Sequence, residues 1–164
     1  MQRACERLLP GGAAAAATAP RTGVKWPNDV LALGAGEDDV EGWGHDRKLA
    51  GILAEVVPAG KAGTAVVLGI GLNVAQRELP VPWATSLVRL GAGTGPRAAL
   101  EVLGEELVPL VRAWEADGGD ADAPGSASRC VRCAPPSGGP CGRSCRAAAR
   151  ESAGRSTSTP TGAS

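Results

Sequence analysis

The sequence predicts an α+β domain in which an antiparallel or mixed β-sheet is packed by helices. Runs of apolar and β-branched residues, each of strand length, recur between residues 23 and 74. The connections between these runs carry no helical pattern, which favours an antiparallel meander over parallel strands joined by crossover helices. After Pro96 the apolar residues change to helical spacing, so we expect a helix to complete the folded unit.

Charge and apolar content divide the chain. Residues 1–123 carry 11 Lys and Arg against 16 Asp and Glu, whereas residues 124–164 carry 6 Arg against 1 Glu. Val131 is the only large aliphatic or aromatic residue of the second block, which therefore cannot bury enough apolar area to offset the entropy of ordering it. We predict a poorly defined N-terminal segment at 1–21, a folded unit at 22–118 and a disordered low-complexity tail at 119–164.

Three further interpretations of the tail arise. Its bias toward Arg, Ser, Ala, Gly, Pro and Cys is typical of a GC-rich gene read out of frame, which we take as a hypothesis. Its cysteines have a spacing that resembles a zinc site, but the apolar residues that pack around such a site are missing. A disulfide framework is favoured even less, because no secretion signal is evident. The cysteines in question are Cys130, Cys133, Cys141 and Cys145.

The chain shows no apolar run of about 20 residues, the length that a membrane span requires. Residues 11–19 are too weakly hydrophobic for the core of a signal peptide. We therefore expect a cytoplasmic protein with no membrane partner. No DNA-binding domain is evident, and the sequence leaves open whether the chain forms a homodimer.

Three strands are predicted. The first spans residues 24–33 and is interrupted at Pro27, which belongs at an edge or a bulge because it cannot donate to the ladder. The second spans residues 47–57, where strict alternation places Lys48 with Ala50 on one face and Gly51 on the other. The third spans residues 64–74, and the five alternating apolar residues from Val66 to Val74 are expected to pack into a core.

The remaining connections read as loops around the strands and helix. Residues 34–46 are acidic and glycine-rich, so we expect a solvated hairpin loop. His45, the only histidine, is expected to be exposed there and to have no catalytic role. Residues 1–21 allow a short helix without a clear apolar stripe, and the helix after Pro96 is expected to pack against the sheet, with a kink at Pro109.

Lysine, amide, carboxylate and glycine residues cluster at the ends of the predicted strands. Lysines provide compact positive charges for a phosphate or carboxylate, and an Asn-Asp pair can bind a nucleoside or Mg²⁺ beside phosphates. Paired glycines let a flat ligand approach the sheet. This set suits activation of a carboxylic acid by ATP through positioning and charge stabilisation; charged strand ends that simply face water are the alternative. The candidates are Lys25, Asn28, Asp29, Lys48, Gly51, Gly69, Gly71 and Asn73.

Four sequence blocks then occur in a specific order: 25–29 (Lys-Trp-Pro-Asn-Asp), 47–55 (Arg-Lys-Leu-Ala-Gly-Ile-Leu-Ala-Glu), 67–74 (Val-Leu-Gly-Ile-Gly-Leu-Asn-Val) and 84–87 (Ala-Thr-Ser-Leu). Together they resemble the central part of the catalytic domain of biotin–protein ligases, also called biotin–[acetyl-CoA-carboxylase] ligases. The resemblance implies a class II synthetase-like biotin/lipoate ligase fold that is incomplete in this chain, with truncation expected at both ends.

The resemblance implies an enzyme that makes biotinyl-AMP from biotin and ATP, with Mg²⁺, and passes biotin to a lysine of a biotin carboxyl carrier protein. Lys48 and Lys25 resemble the catalytic lysines of the family. Lys48, Gly51 and Gly69 resemble its biotin-binding positions. Asn28, Asp29 and Asn73 resemble nucleotide-binding residues, and Asp29 is also similar to a Mg²⁺ contact.

The sequence departs from the family pattern upstream of Lys25. The family carries a Gly-Arg-Gly-Arg loop there, which folds over the adenylate, and the 24 residues before Lys25 contain no such run. A small β-barrel usually follows downstream, and residues 124–164 show no strand pattern. We therefore expect impaired ligase activity. The alternatives are a non-catalytic binder of biotin or nucleotide, a fragment without function, and a lipoate-type ligase as the enzymatic runner-up.

Overall fold

The structure is a computed structural model that describes residues 1–11, 20–60 and 63–120. Its elements, in chain order, are α1 (Gln2–Leu8), β1 (Arg21–Lys25), β2 (Asp29–Leu33), β3 (Arg47–Pro58), β4 (Thr64–Leu72) and α2 (Pro96–Ala116). This architecture confirms the α+β prediction. The hypotheses about residues 121–164, including their cysteines, fall outside the described residues, and the division of the chain into three parts stays a prediction.

The strands form one sheet in the order β1-β2-β3-β4, and every neighbouring pair is antiparallel. The predicted meander is therefore confirmed. The first predicted strand is in fact two strands, because β1 ends at Lys25, residues 26–28 form a turn, and β2 begins at Asp29. Pro27 lies in this turn after a cis peptide bond, where the missing N–H costs no ladder hydrogen bond.

A β-bulge in β3 breaks the predicted alternation of its side chains. Val30 of β2 pairs with Ala50, whereas the next residue, Leu31, pairs with Lys48, so Leu49 has no partner opposite it in β2. Leu49 and Ala50 both join the buried core. A bulge inserts one residue into the ladder and re-aims the side chains beside it. The prediction that Lys48 and Gly51 lie on opposite faces was therefore wrong.

The core lies between the sheet and the two helices. The N-terminal helix α1 contributes more to it than the sequence indicated, since Cys5 and Leu8 are buried there. Arg7 also ties α1 to α2 through Glu105 (2.7 Å) and Glu106 (2.9 Å). The buried core residues are Cys5, Leu8, Leu9, Val30, Leu49, Ala50, Val74, Leu87, Ala92 and Ala99.

Two packing predictions were wrong. The first half of β4 is exposed, with Val66 at 50% and Leu68 at 40%, because β3 and β4 extend as a two-stranded ribbon beyond the helices. Helix α2 packs on α1 rather than on the sheet, and Ala99 is its only buried residue. It continues through Pro109 to Ala116. Neither α1 nor α2 has the length and apolar character needed to cross a membrane, considering the described residues alone.

Candidate functional site

A row of paired residues crosses all four strands and carries the centre of the predicted site. Lys25 of β1 is the register partner of Asp29, Asp29 is the partner of Gly51, and Gly51 is the partner of Gly71 in β4. Register partners present their side chains on the same face of a sheet. Two charged side chains and two bare glycines therefore share one face, and we call this set the floor row.

The glycines leave the backbone of this face open. A Cβ atom added to Gly71 would meet nothing closer than the Gly51 carbonyl oxygen at 4.0 Å, and one added to Gly69 would lie 3.7 Å from the Leu53 carbonyl oxygen. Gly69 pairs with Leu53, one step along the same face from the floor row. The backbone here is open enough for a flat ligand, and binding of such a ligand at the paired glycines stays a prediction.

Lys48 completes the floor row from the bulge. Its Nζ atom lies 2.6 Å from Asp29 Oδ1, in an ion pair whose side chains are 35% and 16% exposed. A Cβ atom on Gly51 would stand 3.3 Å from Lys48 Nζ and 3.5 Å from Asp29 Oδ1. The ammonium and the carboxylate thus converge over Gly51, and the absence of a side chain there gives them room.

The contact between Lys48 and Asp29 is a short ion pair. Asp29 Oδ1 is buried and has no aligned donor among the described residues, although the ammonium is close. An ammonium carries three protons, so Lys48 retains donors for a second anion. A pair of this kind can hold a phosphate or carboxylate beside Asp29 without losing its own contact.

Lys25 does not join this ion pair. Its Nζ atom lies over the ring of Trp43, 3.6 Å from the ring centroid. Trp43 stacks in turn on Trp83, with the ring centroids 6.3 Å apart and the planes 12° from parallel. Sequence reasoning missed both tryptophans. The available signal was an aromatic residue between two glycines in an otherwise acidic loop.

The loop that carries Trp43 is held in place by hydrogen bonds rather than simply solvated. Arg47 is buried, and its guanidinium donates to the carbonyl oxygens of Gly44, Asp46 and Asp38. A Cβ atom on Gly36 would overlap the Arg47 guanidinium, so only glycine fits there. His45 is exposed, as predicted, and its Nδ1 lies 3.1 Å from the Gly36 carbonyl oxygen.

The two predicted asparagines occupy different settings. Asn28 lies exposed in the turn after β1, and its carbonyl oxygen accepts from the Ile52 N–H at 2.8 Å. Asn73 lies just beyond β4, and its Nδ2 donates to the Thr85 carbonyl oxygen at 3.0 Å. Its backbone also donates to Leu49 and accepts from Leu87, both at 3.0 Å. Asn73 therefore fastens residues 85–87 to the sheet.

The site does not contain a metal cage built by the protein. No group of three or more His, Cys, Asp or Glu side chains comes together within residues 1–11, 20–60 and 63–120. Asp29 is the only carboxylate of the floor row, and its Oδ1 is engaged by Lys48. These residues do not by themselves form a Mg²⁺ site, and a Mg²⁺ contact at Asp29 stays a prediction.

The sequence of this part of the chain also matches known proteins. Residues 1–73, which include every predicted site residue, match the model of the biotin/lipoate A/B protein ligase family. Residues 1–73 are therefore similar to the biotin and lipoate protein ligases. The resemblance derived from the four sequence blocks is thereby confirmed.

Individual relatives are also named as ligases. The chain is 51% identical over 77 residues to a biotin–[acetyl-CoA-carboxylase] ligase of Mycobacterium tuberculosis, an alignment that covers 46% of this chain and 23% of the relative. It is 35% identical over 101 residues to the Paracoccus denitrificans protein of that name, covering 60% and 37%. The bifunctional ligase/repressor BirA of Escherichia coli is 35% identical over 115 residues, covering 59% and 32%. The chain thus matches less than two fifths of each relative's length.

Proposed function

We propose that this chain provides the acid-activating surface of an ATP-dependent biotin–protein ligase. The observation that carries the proposal is the Lys48–Asp29 ion pair at 2.6 Å over Gly51. It brings a positive donor, a carboxylate and bare backbone together on one face, inside the segment that matches the ligase family. The names of the relatives supply biotin as the acid.

In the first step, a carboxylate oxygen of biotin attacks the α-phosphorus of ATP. The bond from that phosphorus to the bridging oxygen breaks, pyrophosphate leaves, and biotinyl-AMP forms. Lys48 would stabilise the negative charge that develops between carboxylate and phosphate, an electrostatic role for a prepositioned donor. Lys25 would contact the phosphates, Asn28 and Asn73 the nucleotide, and Gly51 and Gly69 the biotin side. Mg²⁺ would enter bound to ATP, near Asp29.

In the second step, the amine of a lysine on a biotin carboxyl carrier protein attacks the acyl carbonyl of biotinyl-AMP. AMP leaves, the amine loses a proton, and an amide joins biotin to the carrier. We propose that this chain performs both steps slowly, because its sequence contains no Gly-Arg-Gly-Arg run to fold over the adenylate. Weaker retention of the adenylate lowers the fraction of bound intermediate in reactive geometry.

The test is to incubate the chain with MgATP and either biotin or lipoic acid, and to weigh the products by mass spectrometry. We expect biotinyl-AMP in the unaltered chain and a reduction of roughly 100-fold or more in Lys48→Ala, since removal of one stabilising donor typically has this effect. Arg112→Ala, an exposed change in α2, is the matched control for loss of a positive charge.

Four outcomes would contradict the proposal in different ways. Lipoyl-AMP instead of biotinyl-AMP would indicate the lipoate-type ligase. Stabilisation of the fold by biotin or ATP with no adenylate formed would indicate a non-catalytic binder. Equal turnover by Lys48→Ala and the unaltered chain would refute the role of Lys48, whereas a chain with no cooperative unfolding transition would be a fragment without function.

A further inference from the structure

We infer that Trp43 is a positioning residue for Lys25: its indole ring holds the Lys25 ammonium away from Asp29 and so keeps one positive charge of the floor row free for an anionic ligand. The inference deepens the proposed function and rests on it only for the identity of the anion. The observations that support it lie in the loop at residues 34–46, which the sequence predicted to be a solvated connection.

The first observation is a competition between two lysines for one carboxylate. Lys25 is the register partner of Asp29 and shares its face of the sheet, the geometry in which opposite charges normally pair across strands. Asp29 instead contacts Lys48 at 2.6 Å, while Lys25 Nζ lies 3.6 Å over the Trp43 ring. An aromatic face attracts a cation without neutralising its charge. Lys25 therefore has a defined position and keeps its full charge.

The second observation is that the protein builds this position from a buried anchor. Arg47 adjoins Lys48 in β3 and holds the loop through the carbonyl oxygens of Gly44, Asp46 and Asp38. The backbone N–H of Trp43 donates to the Val40 carbonyl oxygen at 2.8 Å, and the Trp43 carbonyl oxygen accepts from the Asp46 N–H at 3.0 Å. The backbone on both sides of the indole is thus fixed relative to β3.

The third observation is that the indole ring of Trp43 is also held by a second aromatic ring. Trp83 stacks on Trp43, and the Trp83 carbonyl oxygen accepts from the Lys48 N–H at 2.7 Å. The Trp43 ring is thus positioned by its own loop and by Trp83, and both are linked to residues 47 and 48 of β3. The hydrogen bond from Lys48 to Trp83 holds β3 beside Asp29, and the stacking of Trp83 on Trp43 holds the ring that Lys25 contacts.

The consequence is electrostatic. The floor row and Lys48 together contain two ammonium groups and one carboxylate, and only one ammonium is within ion-pair distance of that carboxylate. If Lys25 were released from Trp43, it could approach Asp29 and compete with Lys48. An incoming anion would then have to displace that contact, and its affinity would fall.

The position of Lys25 can be measured directly by NMR. The chain contains three lysines, so reductive methylation with ¹³C-formaldehyde gives few signals while preserving each positive charge, and Lys25→Arg assigns the signal of interest. We expect the Lys25 methyl protons to be shifted upfield by the ring current of Trp43. The shift should disappear in Trp43→Leu and persist in part in Trp43→Phe. Unshifted methyl protons in the unaltered, folded chain would overturn the inference whether or not any variant folds.

The functional consequence is measured with inorganic pyrophosphate, by calorimetry at constant ionic strength. Loss of a partly exposed cation–π contact corresponds to a weakening of roughly two- to fivefold, and this is the change expected for Trp43→Leu. Trp43→Phe should recover most of the affinity. Trp114→Leu, which removes a 39% exposed tryptophan of α2, should leave the affinity unchanged.

Equal affinity of Trp43→Leu and the unaltered chain would overturn the inference, as would an equal loss in Trp114→Leu or no binding of pyrophosphate at all. Failure of the proposed function is distinguishable from these results. A chain that shows the ring-current shift and the expected loss of pyrophosphate affinity, but forms no biotinyl-AMP, refutes the ligase proposal and leaves the role of Trp43 in place.

Discussion

Lys48 Nζ and Asp29 Oδ1 lie 2.6 Å apart over the backbone of Gly51, although regular alternation along β3 would have put Lys48 on the other face of the sheet. The bulge between Lys48 and Ala50 brings the ammonium to the carboxylate. Five of the eight candidate residues identified by sequence lie in or directly beside the floor row: Lys25, Asp29, Lys48, Gly51 and Gly71.

Gly51→Ala tests the room available over the floor row. The new Cβ would stand 3.3 Å from Lys48 Nζ, which is the mobile end of a long side chain, so we expect the free energy of unfolding to change by less than about 0.5 kcal/mol. Displacement of the ammonium should instead lower the rate of biotinyl-AMP formation by about ten- to a hundredfold. Single-turnover assays together with urea unfolding measure the two effects.

Gly71→Ala is the comparison for this change. Its Cβ would meet only the Gly51 carbonyl oxygen at 4.0 Å and would not reach the ion pair. It therefore distinguishes the effect of displacing Lys48 from the effect of adding a methyl group elsewhere on the glycine-lined face. If Gly51→Ala reacts no more slowly than Gly71→Ala, the ion pair over Gly51 does not govern the rate.

Gly36→Ala should destabilise the protein through Arg47. The added Cβ would overlap the guanidinium, which is buried and held by three carbonyl oxygens, so the guanidinium must leave those partners. Loss of charge-assisted hydrogen bonds from a buried group should lower the free energy of unfolding by about 3 kcal/mol. Urea denaturation with a constant m-value would measure this loss.

Gly93→Ala provides the matched control, since it is exposed in a loop and an added Cβ would meet nothing within 4 Å. We expect its unfolding free energy to stay within about 0.5 kcal/mol of the unaltered chain. Similar losses in both glycine variants would show that Arg47 does not anchor the loop.

Asn73→Ala should cost stability, whereas Asn28→Ala should not. Removal of the Asn73 side chain leaves the Thr85 carbonyl oxygen without its 3.0 Å donor next to buried residues, at a cost of about 2 kcal/mol. Asn28 is exposed in a turn, so its change should stay within about 0.5 kcal/mol. Thermal and urea unfolding of both variants test this contrast, and the reverse order of losses would contradict it.

Cys5 should make stability fall at alkaline pH. Burial raises the pKa of this thiol from 9.0 to about 11, so the folded protein holds a proton that the unfolded chain releases. The stabilising contribution is complete below pH 9 and is lost as the pH rises toward 11, to a total of roughly 2–3 kcal/mol. Urea unfolding at a series of pH values from 8 to 11 measures the slope.

Cys5→Ala isolates this effect, because every other titrating group is common to both chains. Its stability should depend less steeply on pH than that of the unaltered protein in the same interval. Parallel curves would show that the Cys5 thiol is not shielded in the folded state. The comparison needs no assumption about the cysteines beyond residue 120.

Much of the fold could be predicted because strand signals are local. β-branched runs and the connections without helical pattern were sufficient for an antiparallel meander, and the helix after Pro96 follows from apolar spacing. The N-terminal helix α1 was underestimated because its buried residues, Cys5 and Leu8, show no stripe in isolation and are covered by segments that are distant in sequence. The exposure of Val66 and Leu68 was not predictable for a similar reason: alternation assigns a face but does not say what covers it.

The candidate site was likewise only partly predictable from the sequence. Motif order identified Lys25, Asn28, Asp29, Lys48, Gly51, Gly69 and Asn73 as a set, and the segment that contains them matches the ligase family. Their individual roles in binding stay predictions. Trp43 and Trp83 lie 40 residues apart in the sequence, and no local pattern indicates that two such rings stack beside Lys25.

The sequence by itself determined the strands, the antiparallel order and the polar and glycine residues at their ends, because each depends on neighbours along the chain. Tertiary structure alone decided which of those residues meet. The bulge at Leu49 turned Lys48 toward Asp29, the Arg47 guanidinium fixed the loop at 34–46, and the stacked indoles gave Lys25 a partner other than Asp29. These contacts depend on register shifts and on packing between distant segments, which a residue's own neighbours in sequence do not specify.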